Sequence, residues 1–134
     1  MLHNKSERVL LVAANIFSIE LTGNKLIKHV SSVDRVFPAI YEMAPHIIVF
    51  DYDFLSADME KILRRIRTNS YYNKIKICCF KRNPDRKIDS FLKLLGVNHV
   101  IYKDELANPD KAVVNHINSI IDAKISDWLT KASL

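Results

Sequence analysis

The chain has 134 residues, 49% of them apolar, and carries 20 Lys and Arg against 15 Asp and Glu for a net charge of +5. That is the make-up of one ordinary globular domain: roughly 70% of the unfolded surface can be buried at this length, so no disulfide or metal is required as a staple. No run reaches the ~18 apolar residues of a membrane span, the opening MLHNKSER lacks the apolar core of a signal peptide, and the two glycines, Gly23 and Gly96, are too few for a glycine-rich phosphate loop.

Taken in chain order, the apolar pattern alternates between short continuous runs and amphipathic segments, with no linker or low-complexity stretch. Val9 to Ala14 (VLLVAA) and His46 to Asp51 (HIIVFD) have the length and continuity of strands covered on both faces, as in a parallel sheet. A helix is expected near residues 16 to 25, interrupted by Gly23, and Ile27 to Val33 is a more polar candidate for an edge strand. A helix near 35 to 43 must hold Pro38 in its opening turn. Met59, Ile62, Leu63 and Ile66 recur at helical spacing, which predicts an amphipathic helix over 58 to 68 with Arg64, Arg65 and Arg67 turned mostly outward.

Ile75 to Phe80 (IKICCF) is the next strand. Its adjacent Cys78 and Cys79 point to opposite faces and read as small core residues, and without a spaced framework they indicate a reduced, cytoplasmic chain. The segment NPDRKIDSFLKLLG predicts a helix with Asn83 as N-cap, Pro84 in the first turn, an apolar set of Ile88, Phe91, Leu92 and Leu95, and Gly96 as the stop. His99 to Tyr102 is the last strand. Asn108 and Pro109 open a final helix over about 109 to 132, about 35 Å long at 1.5 Å per residue, whose apolar stripe ends in Ile125, Trp128 and Leu129. If exposed, those last turns favour a homodimer.

The order is β-α repeated five times within one domain spanning 1 to 134, and right-handed crossovers then give an α/β fold with helices on both faces of a doubly wound parallel sheet. In such folds functional residues collect at the C-terminal ends of the strands, here Ala13, Ala14, Asp51, Asp53, Lys81 and Lys103.

Over roughly residues 8 to 125 the sequence resembles the receiver domain of bacterial two-component response regulators. The resemblance is carried by PHIIVFDYDFLSADMEKILRRIR, in which Asp51 ends an apolar third strand and Ile66-Arg67 follow at the family's spacing, and by Leu95-Gly96-Val97 with Lys103 beyond it. It implies a five-stranded, flavodoxin-like sheet in the order 2-1-3-4-5, with Asp51 at the phosphoacceptor position and Lys103 at the phosphate-contacting position. It also implies a partner surface on the fourth helix, fifth strand and fifth helix, including Lys87, Phe91, Lys93, Tyr102 and Asp104.

The sequence departs from the family pattern where the chemistry is most demanding. Transfer of a phosphoryl group to a carboxylate brings two anions together, and the family neutralises them with Mg²⁺ held by acids after strand one. Those positions are Ala13 and Ala14, whose methyl groups offer no oxygen to a hard cation. Lys81 replaces the switch Ser/Thr, Val100 the switch aromatic and Asp104 the proline after the lysine, while Leu55 and Met59 stand for a proline and a glycine after the acceptor. Asp53 is a candidate to recover part of the metal site. Lys81 either sets its ammonium beside Asp51 in place of the metal's charge or points into solvent with Arg82.

These observations predict an atypical receiver, not an enzyme, that signals by binding a histidine kinase or a downstream effector and holds no cofactor, with Mg²⁺ the one ion to consider. The alternative is a working phosphoacceptor phosphorylated on Asp51 by a histidine kinase. No effector domain is recognised in the chain, so the expected output is contact with another protein or with a second copy. Residues 61 to 93 hold eleven Lys and Arg against Asp85 and Asp89, a local charge of +9 that leaves −4 for the rest. Without interleaved aromatics or a recognition helix this excess is expected to be solvated helix surface, with neither nucleic acid nor membrane as partner. His3, His29, His46, His99 and His116 have no ligand spacing, and Ser18, Ser31, Ser32 and Ser56 lie in no nucleophile motif.

Overall fold

Strands form where β-branched and aromatic residues run together. In the computed structural model, which describes residues 7–14 and 25–102, these are β1 (Glu7–Val12), β2 (Lys25–Val30), β3 (Ile47–Asp51), β4 (Lys76–Lys81) and β5 (His99–Tyr102). All neighbours are parallel, in the order β2-β1-β3-β4-β5. The expected helices near 16 to 25 and 109 to 132 lie outside the described residues, as do Lys103, Asp104 and the Ile125, Trp128 and Leu129 stripe.

Between the strands lie a single 3-10 turn (Val33–Arg35), α1 (Val36–Met43), α2 (Tyr52–Thr68) and α3 (Arg86–Leu94). Pro38 falls at the third residue of α1, where a missing N–H costs no intrahelical bond. The three helices share one core with the sheet face formed by Leu10, Val12, Ile48, Phe50, Ile77 and Cys79, into which α2 sends Leu55, Met59, Ile62, Leu63 and Ile66. Each such side chain, fully buried, contributes about 1.5–3 kcal/mol. Val9, Leu11, Ile47, Val49, Cys78 and Phe80 alternate to the other face and are also buried. Burial on both faces explains why β1, β3 and β4 read as continuous apolar runs, whereas the edge strand β2 leaves Leu26 exposed.

Three helix expectations need correction. α2 begins at Tyr52, not near 58, because Asp51 caps it directly: its carboxylate accepts from the Asp53 N–H at 3.1 Å, so the strand passes into the helix without a loop. α3 is capped by Asp85, which accepts from the Ile88 N–H at 3.1 Å, and Asn83 and Pro84 lie before it. Arg67 does not turn outward. Its guanidinium donates to the carbonyls of Asn73 (2.7 Å), Ile75 (2.9 Å) and Gly96, so one side chain joins the α2–β4 connection to the α3–β5 connection. Gly96 ends α3 as expected, at φ 102°, and a Cβ there would lie 2.1 Å from Arg67 Nε.

Candidate functional site

The parallel register brings the C-terminal strand ends to one rim. Asp51 ends β3 and is 9% exposed, its carboxylate committed to the first turn of α2, where the positive end of the helix dipole also favours an anion. Two residues on, the exposed Asp53 turns towards β4 and accepts from the backbone N–H of Arg82 at 3.0 Å, tying the start of α2 to the segment after β4.

The end of β1 is made of backbone and methyl groups. Ala13 is fully buried; its N–H donates to the Val30 carbonyl at 3.1 Å, and its own carbonyl lies 2.8 Å from His29 Nε2 on β2. Ala14 follows, exposed. Among the described residues, no three His, Cys, Asp or Glu side chains gather in a way that could hold a metal ion.

Lys81 does not point into solvent. It is 2% exposed, and its Nζ lies 2.7 Å from Asp89 Oδ1 on α3 and 4.9 Å from the ring centroid of Tyr52, the residue after Asp51. The salt bridge therefore goes to an acid that sequence reasoning passed over. The other Asp89 oxygen accepts from the Tyr102 hydroxyl and from the Asp85 N–H at 3.3 Å. The register makes this possible, since Lys81 and Tyr102 are directly paired between β4 and β5. Burial pushes the Asp89 carboxyl up, but the hydrogen bonds from Lys81, Tyr102 and Asp85 together with the lysine charge outweigh it and hold the group below the usual aspartate range. A carboxylate with several donors, one of them charged, is an anion in a fixed setting.

Of the partner-surface residues, Lys87 and Lys93 are exposed on α3, Phe91 is 40% exposed, and Tyr102 is half-buried with its hydroxyl turned to Asp89. Phe91 thus lies outside the inward stripe, which is formed by Leu92, Leu95 and Asp89. Part of the basic stretch is engaged within the chain: Lys81 is paired in the interior and Arg67 binds carbonyls, while on the surface Arg64 pairs with Glu60 at 2.9 Å and Arg65 stacks over Phe37 at 3.8 Å. Cys78 and Cys79 are buried and reduced; burial is the main cause that pushes the Cys79 thiol up to about 12, which keeps it protonated and unreactive.

No protein-family model matches the chain, and no curated protein matches it. Solved structures do. The signal receiver domain of the DNA-binding response regulator protein (merR) from Colwellia psychrerythraea 34H aligns at a TM-score of 0.69 and 13% identity, covering 90% of this chain and 99% of that one. The phosphorylated cyanobacterial phytochrome response regulator RcpA aligns at 0.68 and 17%, covering 94% and 96%. Response regulator RPA3017, in red light signaling of R. palustris, aligns at 0.64 and 19%, covering 84% and 90%. Together with the strand order, this similarity establishes the receiver fold.

Proposed function

From a receiver fold with this rim, we propose that the protein is a divergent receiver that acts in signal transduction through contact with a partner protein, without Mg²⁺-dependent phosphorylation of Asp51. The observation that carries the reading is the end of β1. A magnesium ion takes about six hard oxygen ligands in strict octahedral geometry, and Ala13 and Ala14 offer methyl groups where carboxylates would be needed. The Ala13 carbonyl already meets His29, and the carboxylates of Asp51 and Asp53 each accept a backbone N–H. This donor set does not fit the ion.

Without it, a phosphoryl group approaching Asp51 brings two anions together with no divalent cation between them. Lys81, the nearest candidate for replacement charge from the sequence, is neutralised by Asp89. The partner is a signalling protein, a histidine kinase or a downstream effector, in the cytoplasm. No helix among the described residues is long and apolar enough to cross a membrane. The test is incubation of the chain with acetyl phosphate or phosphoramidate and Mg²⁺, followed by intact-mass measurement. The expected mass is unchanged. A gain of one phosphoryl group that disappears in Asp51→Asn establishes a working phosphoacceptor and overturns the proposal.

A further inference from the structure

α3 has a small apolar footing on the sheet. Of its nine residues Asp89 and Leu92 are buried and Ile88 is half-buried against the core, with the C-cap Leu95 buried beside them; Arg86, Lys87, Ser90, Phe91, Lys93 and Leu94 are exposed, Leu94 by 84%. By contrast α2 buries five apolar side chains, and the strands beneath α3 are closed by their own register. With so small an apolar footing the helix depends on its polar contacts for position, and among the described residues those to the strands converge on one carboxylate. Asp89 binds Lys81 of β4 through one oxygen, and Tyr102 of β5 with the Asp85 N–H through the other. The Lys81 and Asp89 side chains are 3% and 13% exposed, so water does not compete freely for either charge.

We infer that α3 is a separately opening element clasped to the sheet by the Lys81–Asp89–Tyr102 cluster, which holds the face bearing Lys87, Phe91 and Leu94 in place. Opening exposes Leu92, Leu95, the half-buried Ile88 and one ion pair and leaves the core beneath α1 and α2 in place, so it falls at the low-energy end of the domain's unfolding events. That the moving face meets a partner rests on the proposed function; the clasp itself does not, and the mass measurement above leaves it untouched.

Native-state hydrogen exchange of the full chain at a series of low urea concentrations tests the clasp. Amides of residues 89–94 are expected to exchange with a weak urea dependence, the mark of a small opening, while those of β3 follow the steep dependence of global unfolding. Tyr102→Phe, which removes one hydroxyl, and Lys81→Met are expected to speed α3 exchange, Lys81→Met at least tenfold. Amides of α1 that exchange by local opening are expected to stay unchanged, because that opening leaves the pair in place. An α3 urea dependence as steep as that of β3 overturns the inference, because the helix then opens only with the whole domain. So does exchange in α3 that neither variant alters.

Discussion

Lys81→Met removes the charge from a pair with an N···O distance of 2.7 Å and leaves Asp89 buried against Tyr102 and the Asp85 N–H. Breaking a buried pair from one side costs about 3–5 kcal/mol; the two donors that remain on Asp89 place this loss near the lower end, about 3 kcal/mol. The exposed Arg64–Glu60 pair, with side chains 58% and 52% exposed, sets the comparison at under about 1 kcal/mol. Against a domain stability of about 5–15 kcal/mol the difference is large. With a urea slope of about 2 kcal/mol/M it moves the unfolding midpoint down by about 1.5 M. The triple variant Lys81→Met, Asp89→Leu, Tyr102→Phe replaces the whole polar cluster by apolar groups and should recover most of the loss. Because the folded Asp89 titrates below its unfolded value, its stabilisation is complete above the ordinary aspartate pKa of about 3.9 and fades as pH falls through the lower folded value. The gap between wild type and Lys81→Met therefore narrows in acid. A single variant that loses less than about 1 kcal/mol at neutral pH, or a triple variant no more stable than the single, refutes the reasoning.

Gly96→Ala combines a left-handed backbone with a Cβ placed 2.1 Å from Arg67 Nε, and the guanidinium must yield its carbonyl contacts to relieve the clash. A loss of about 2–4 kcal/mol in urea unfolding is expected, adding about 1–2 for the conformation to about 1–2 for the hydrogen bonds. At Asp51, Asn keeps an N-cap acceptor and Ala does not, so Asp51→Asn should stay within about 0.5 kcal/mol of wild type while Asp51→Ala loses about 1 kcal/mol by thermal unfolding. Equal losses in the two variants would deny the cap its role.

The sheet was legible in the sequence because two-sided burial leaves an unbroken apolar signature, and β3 ending at Asp51 is the plainest case. The start of α2 was not, since no proline or glycine punctuates the junction. The clue was Leu55, which extends the Met59, Ile62 and Ile66 stripe back by one turn. The rim was legible as positions and not as connections: Lys81 stood out by its type, whereas its partner Asp89 looked like an ordinary helix acid between Ile88 and Ser90. The signal was available in retrospect, because Asp89 shares a face with Leu92 at a spacing of three residues. A side chain of either charge reads as solvent-facing until its partner is placed, which requires knowing that β4 and β5 are neighbours.

Arg67 sets the terms on which this protein can be re-engineered. With both of its connections bolted to the same guanidinium, the stretches 69–75 and 96–98 have no slack, and an extra residue in either withdraws an acceptor and loosens the other connection with it. A reporter or affinity module spliced into the prominent turn at Tyr71 would therefore unsettle β5 at a distance, although that tyrosine is 89% exposed and looks like a natural point of insertion.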